Sequence, residues 1–273
     1  MITLICGKRR TGKTSLATAR ELNENLRFFN ERYENAVSYI KMKNKYEGLK
    51  LTLPPQRHVV SANFEIHRRY PNMTSYQISG YEFGVPHKKA PELKKLIPYG
   101  SYVFDEAQRY FDSKGDNKLP PWVTQCFELS GHIHIDITLI AQRYIRINKD
   151  IRDIVDEFIY IEKSLHTIKV DGKNFKSDII LPYGLLVKTE WFGKKFKSEA
   201  EIENYLTGKD PKAGEEYYYC FFGDITSHYD RFNYATDFED DYKNFDYEGE
   251  MHDERPCSWD NYKKELKKNE KKD

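Results

Sequence analysis

The chain lacks the features that mark disulfide-stapled, zinc-stapled or membrane-spanning proteins. Its four cysteines, Cys6, Cys126, Cys220 and Cys257, stand far apart with no C-x-x-C pair. That spacing argues against both a disulfide framework and a structural zinc site. No run of about 18 apolar residues, the length a helix needs to cross a bilayer, occurs in the sequence. No signal peptide stands ahead of the first apolar run. These absences predict a soluble protein of a reducing, cytoplasmic compartment. An excess of one charge is missing too: 44 Lys and Arg against 43 Asp and Glu leave a net charge of +1. No overall field therefore draws in a polyanion, and any nucleic-acid contact has to come from local patches. There is no internal repeat. What is present, 39% hydrophobic and 32% charged residues in 273, suits one large α/β domain with an appendage, or two small domains.

The strongest local signal is Gly7-Lys8-Arg9-Arg10-Thr11-Gly12-Lys13-Thr14, with the spacing G-x-x-x-x-G-K-[ST] of a phosphate-binding P-loop. Its flanks fit. Ile2 to Cys6 is a short apolar, β-branched run that reads as a buried strand, and Leu16, Ala19, Leu22, Leu26 and Phe29 recur at helical spacing. Two glycines permit backbone angles and a close approach that a Cβ blocks. The loop's N–H groups and the helix N-terminus then face a triphosphate. Lys13 is the expected partner of the β- and γ-phosphates and Thr14 the expected Mg²⁺ ligand. Gly7 through Ser15 form the expected binding loop for a nucleoside triphosphate.

The second signal is Ser101-Tyr102-Val103-Phe104-Asp105-Glu106-Ala107-Gln108, an apolar strand that ends in two acids. In a parallel α/β sheet, ligands bind at the C-terminal ends of the strands. Asp105 is thus expected in the Mg²⁺ shell beside Thr14, and Glu106 as the general base that polarises the attacking water. Ile135 to Ala141 reads as the next strand, with Gln142 at its tip, where it can sense the γ-phosphate or position water, or be an exposed loop glutamine. Arg143, Arg146 and Arg152 are each candidates for an arginine finger reaching a neighbouring subunit, and each is equally a candidate surface charge. His132 and His134 lack a third ligand nearby and read as a strand-entry turn.

Other elements follow in outline. Residues 30–57 read as a helix extension and loop, His58 to Asn63 as the second strand, and residues 68–98 as a surface run. Asp112 to Asn117 read as a polar turn, and a helix is expected from Leu119 to about Leu129. Ile151, Ile154, Val155 and Phe158 predict one apolar helical face, and Phe158 to Ile161 a fifth strand. Alternation of strands and helices up to residue 163 predicts a parallel sheet covered on both faces. From residue 164 to 236 the pattern turns β-rich. His166 to Val170, a turn at Asp171-Gly172 and a return from Ile179 to Trp191 form the expected hairpin, with Tyr217 to Phe222 a further strand. Residues 237–273 are acidic and then lysine-rich, the composition of a charged, flexible tail.

A P-loop alone does not separate kinases, GTPases and motor ATPases. A GTPase calls for N-K-x-D, and Asn148-Lys149-Asp150 is one residue short. A small-molecule kinase avoids activating water and usually lacks the Glu106 type of residue. The Asp105-Glu106 pair and the polar Gln142 favour hydrolysis coupled to motion. Asp105-Glu106-Ala107-Gln108 is near a D-E-A-x box, but no second core follows, so a helicase of this kind would be a ring.

The N-terminal P-loop, Tyr102 to Gln108, Gly131 to Gln142 and the succession Ile151-Arg152-Asp153-Ile154-Val155 together resemble the zonular occludens toxin (Zot) family. This family includes filamentous-phage assembly ATPases and is similar to HerA/FtsK-type DNA-pumping ATPases. The resemblance covers residues 1–163. It implies a P-loop NTPase fold and a homo-oligomeric ring, often hexameric, in which ATP hydrolysis moves DNA during virion assembly. It also implies Glu106 as base, Gln142 as sensor and a neighbour's arginine completing the site. Phage assembly ATPases of this type usually carry a membrane span after the ATPase domain, and this sequence has none. That departure shifts the expectation toward a viral or mobile-element packaging or translocation motor, or one docked to capsid or membrane assembly proteins. The other readings are an ATP-dependent assembly switch without translocation and a small-molecule kinase.

Overall fold

The computed structural model describes residues 1–27, 34–48, 50, 58–66, 73–77, 100–112, 119, 121–132, 135–179 and 185–234. Six parallel strands form the spine: β1 (Ile2–Gly7), β2 (His58–Ala62), β4 (Met73–Gln77), β5 (Ser101–Phe104), β6 (Asp136–Ile140) and the first part of β7 (Glu157–Val170). Their order is β7-β1-β6-β5-β2-β4. The apolar, β-branched composition of β1 and β5 suits central strands covered on both faces, and every residue of both is buried.

Helices cover the two faces. On one side α1 (Lys13–Arg27) lays Leu16, Ala19 and Leu22 against Ile5, Val103, Ile140 and Ile159. On the other, α3 (Pro121–Leu129), the single-turn α4 (Lys149–Arg152) and α5 (Glu199–Leu206) enclose Leu4, Phe104, Leu139 and Phe158. Helix α2 (Glu34–Tyr46) lies in the stretch expected to be helix extension and loop. The expected apolar helical face from Ile151 to Phe158 is shorter than its pattern. The helix stops at Arg152, and Phe158 already belongs to β7. Residues 73–77, expected to run over the surface, instead pair as a strand with β2.

The sheet does not stop at the expected boundary between residues 163 and 164. β7 runs through it, and β9 (Leu185–Phe196) pairs antiparallel along nearly its whole length, followed by β10 (Glu215–Phe222). The hairpin turn falls at Asp171-Gly172, both at positive φ (48° and 80°), which is the backbone a two-residue hairpin loop requires. Its return strand is β8 (Lys173–Ser177), shorter than the expected Ile179 to Trp191 run, and the later residues of that run form β9 on the opposite edge of β7. A small antiparallel pair, β3 (Phe64–Ile66) with β11 (Tyr229–Tyr234), ties the end of the described chain back to the region after β2. The expected polar turn at residues 113–117, His134 and the charged tail from residue 237 lie outside the described residues. No described helix is long and apolar enough to cross a membrane.

Candidate functional site

The site lies at the C-terminal ends of β1, β5 and β6. β1 ends in Gly7, whose φ is +148° and where a Cβ would come within 2.4 Å of the Ile161 carbonyl oxygen. The chain then loops into α1 through Gly12, whose φ is +75°. Gly12 caps the helix: its carbonyl accepts the Leu16 N–H at 2.9 Å and the Ser15 hydroxyl at 2.8 Å. Lys13 folds back onto the loop, its Nζ donating to the carbonyls of Gly7 (3.1 Å) and Lys8 (2.8 Å). Thr11 closes the turn by donating to the Lys8 carbonyl at 3.0 Å. Burial pulls the Lys13 ammonium below the usual lysine range, against the attraction of Asp105 and Glu106.

Across from Lys13 stand the acids at the end of β5. The Thr14 hydroxyl donates to Asp105 Oδ2 at 2.6 Å, and the Glu106 N–H donates to Asp105 Oδ1 at 2.8 Å. Burial raises the Asp105 carboxyl above its ordinary range, opposed by these two hydrogen bonds and by Lys13. Glu106 is held in a left-handed conformation, φ 50° and ψ 41°, which is costly for a residue with a Cβ. Its side chain accepts from Gln108 and, at 3.4 Å, from Gln142 Nε2. Gln142 Oε1 in turn accepts from Arg9 Nε at 3.4 Å. The P-loop, the acid pair and the tip of β6 thus form one polar row.

Thr14 and Asp105 present a hydroxyl and a carboxylate side by side, the hard oxygen donors that Mg²⁺ takes alongside phosphate oxygens and water. Mg²⁺ seldom needs more than one or two protein ligands, so this pair fits it, although no cluster of three or more metal-binding side chains occurs among the described residues.

The three candidate arginines separate. Arg143 and Arg146 are exposed. They line a cavity of about 670 Å³ with Lys8, Arg9, Gln142 and Tyr160. Arg152 is engaged inside its own chain: it pairs with Glu199 at 3.2 Å, donates to the Ile145 carbonyl at 2.9 Å and lies over the Tyr144 ring.

Two residues join the site without a local signal of their own. Asn63, just past β2, accepts the Asp105 N–H on Oδ1 (2.7 Å) and donates from Nδ2 to the Asp105 carbonyl (2.9 Å) and the Tyr110 hydroxyl (3.1 Å). A polar residue at the tip of an otherwise apolar strand was the one available cue. Trp191 on β9, fully buried, donates its indole N–H to the Gly12 carbonyl at 3.0 Å. Nothing in its sequence neighbourhood points to the P-loop.

Residues 84–201 match the model of the Zonular occludens toxin (Zot) family. No curated protein matches the chain in sequence. Among solved structures, the N-terminal domain of zonular occludens toxin from Neisseria meningitidis is similar over 84% of this chain and 98% of its own, at 14% identity and a TM-score of 0.46. The genome packaging NTPase B204 from Sulfolobus turreted icosahedral virus 2, in complex with ATP-gammaS, covers 58% of this chain and 73% of its own, at 14% identity and a TM-score of 0.34. B204, the DNA-packaging ATPase from Sulfolobus turreted icosahedral virus, covers 58% of this chain and 74% of its own, at 13% identity and a TM-score of 0.31. The family match runs from ahead of β5 through β9 into α5. Residues 84–201 thus resemble the Zot family, within a chain of mixed α/β fold built on a mostly parallel sheet.

Proposed function

We propose that the protein is an Mg²⁺-dependent ATPase that works as a homo-oligomeric ring, often a hexamer in proteins of this kind, and moves DNA during packaging or export of a viral or mobile-element genome. The observation that carries the hydrolytic part is the Thr14–Asp105 contact at 2.6 Å with Glu106 beside it, facing the P-loop lysine at the ends of β1 and β5, the two strands that flank β6. On this reading the loop N–H groups from Lys8 to Thr14 bind the phosphate chain, and Lys13 leaves the Gly7 and Lys8 carbonyls for the β- and γ-phosphates. Thr14 and Asp105 would hold Mg²⁺, which when bound offsets negative charge on the phosphates. Glu106 takes the proton of the attacking water, and Gln142, already in contact with Glu106, orients that water. Arg143 and Arg146 are the exposed candidates to complete a neighbour's site, since Arg152 is held by Glu199 and Ile145. The DNA-moving part draws support from the Zot-family match and the Asp-Glu pair, which favours turnover of water over transfer to a small acceptor.

The test is steady-state ATP hydrolysis with and without single- and double-stranded DNA. We expect turnover that rises with one form of DNA, and a loss on the order of 10³-fold in Lys13→Ala and Glu106→Gln. Basal turnover that ignores both DNA forms while the oligomeric state follows nucleotide would point instead to an assembly switch. Undiminished turnover in Glu106→Gln would remove Glu106 from the role of base.

A further inference from the structure

We infer that Trp191 is a positioning residue for nucleotide binding: its indole N–H holds the Gly12 carbonyl so that the Ser15 hydroxyl is free to turn to the phosphate chain. The inference rests on the reading of Gly7 to Ser15 as the nucleotide loop. Its starting point is a crowded acceptor. The Gly12 carbonyl takes three donors at once: the Leu16 N–H at 2.9 Å, the Ser15 hydroxyl at 2.8 Å and the Trp191 indole at 3.0 Å. A carbonyl oxygen has two lone pairs, so one of the three is surplus. The Leu16 bond belongs to the helix, and the indole belongs to a ring that is fully enclosed and cannot swing away. The hydroxyl is the donor that rotates.

The indole is also fixed from behind. Trp191 pairs across the strands with Ser164, and His166 with Thr189. Ser164 Oγ lies 3.5 Å from His166 Nε2, and His166 Nδ1 lies 3.1 Å from Thr189 Oγ1, all buried. Tyr219 on β10 packs against the Trp191 ring, with centroids 6.1 Å apart, and its hydroxyl meets Asn23 of α1 at 2.8 Å. The contact is tight at the loop as well: a Cβ on Gly12 would sit 2.8 Å from Trp191 Nε1 and 3.4 Å from Ser164 Oγ. Gly12 therefore serves two needs, a positive φ and the room for Trp191.

The arrangement has a consequence for ligand binding. In a trans peptide the C=O and the next N–H point in opposite directions. Holding the Gly12 carbonyl toward β9 keeps the Lys13 N–H aimed into the loop, toward the phosphates. With Trp191 on the carbonyl, the Ser15 hydroxyl leaves an acceptor that stays satisfied. Without Trp191, moving Ser15 strips the carbonyl of a second donor, and nucleotide binding has to bear that loss.

The experiment is a double-mutant cycle on the full chain, with affinity for ADP·Mg²⁺ and ATPγS·Mg²⁺ read by calorimetry. Trp191→Phe is expected to weaken both ligands about five- to tenfold, the effect of one hydrogen bond. Ser15→Ala is expected to weaken binding in the wild-type background and to cost clearly less in the Trp191→Phe background, where the hydroxyl stays on Gly12. Additive losses, or unchanged affinity in Trp191→Phe, would overturn the inference. A wild-type protein that binds neither ligand would instead overturn the nucleotide-loop reading on which it rests. Should Trp191→Phe fail to fold, a Trp122→Phe/Trp259→Phe variant leaves Trp191 as the sole indole. Its emission is expected to change on ADP·Mg²⁺ binding, and a spectrum indifferent to bound ligand would count against the contact.

Discussion

Asp105, one residue past β5, is held in place by Asn63. Fully buried, Asn63 clasps the Asp105 backbone from both sides, taking its N–H and giving to its carbonyl, and spends a second donor on Tyr110. Apolar truncation takes one hydrogen-bond partner each from the Asp105 N–H, the Asp105 C=O and the Tyr110 hydroxyl. Asn63→Ala is therefore expected to cost about 2–4 kcal/mol in a denaturant titration, several times the effect of a surface substitution. The strained neighbour Glu106 depends on the same clasp, since its N–H bonds to Asp105 and its backbone is left-handed. ATP turnover in Asn63→Ala is accordingly expected to fall by at least tenfold even under conditions where circular dichroism reports a folded protein. Unchanged turnover would detach Asn63 from the site and leave it a purely structural residue.

Strands and helix are riveted together at Glu157, the first residue of β7. Its carboxylate, 5% exposed, accepts from Thr3 of β1 at 3.0 Å and pairs with Arg20 of α1 at 2.8 Å and Lys195 of β9 at 2.6 Å. Burial alone pushes this carboxyl up, but Lys195 and Arg20 outweigh it and hold it below its ordinary value of 4.5. A carboxyl lowered by folding adds stability above its unfolded value, and that stability drains away as pH drops through the lowered one. Glu157→Gln is expected to lose about 2–3 kcal/mol at pH 7, somewhat less than for a fully enclosed pair because Lys195 is partly exposed. The gap should begin to close as pH falls below the ordinary value of 4.5 and vanish only once pH has dropped through the lowered value, where the wild-type carboxyl is protonated too. A gap that persists in acid would mean that packing, not charge, holds this junction.

These junctions also separate what the sequence discloses from what it hides. β1, β5 and β6 were legible because their signals are local: an apolar run and the polar residue that ends it. The meeting of Lys13 and Thr14 with Asp105 and Glu106 was legible because each pair closes a short contiguous pattern at the end of a strand. The Asn63 clasp spans 42 residues and the Trp191 contact 179, and no pattern near either residue records such a partner. α2 and β4 fell in charged, weakly patterned stretches where tertiary pairing decides the outcome.

Across the whole molecule, the change from α/β alternation to β-rich pattern near residue 163 does not coincide with a seam in the core. Ile168, Leu186, Trp191, Phe221 and Ile225 belong to the same buried cluster as Ile5, Leu16, Val103 and Ile140. Phe196 and Ile202 belong to the one on the opposite face, with Leu4 and Phe104. At about 1.5–3 kcal/mol of gross burial free energy for each side chain, before chain entropy is set against it, losing those beyond residue 163 is enough to upset the narrow net stability of an ordinary domain. A fragment ending at residue 163 would also cut β7 in mid-strand and expose the edge that β9 covers. Such a fragment is expected to give no cooperative thermal transition and to bind a hydrophobic dye, whereas the full chain melts in a single step. A fragment that melts cooperatively and binds ADP would show that the first 163 residues form an independent domain. Its failure would mean that the later strands are part of the machine that shapes the P-loop. The Trp191 indole on the Gly12 carbonyl is where those strands meet the loop that opens α1.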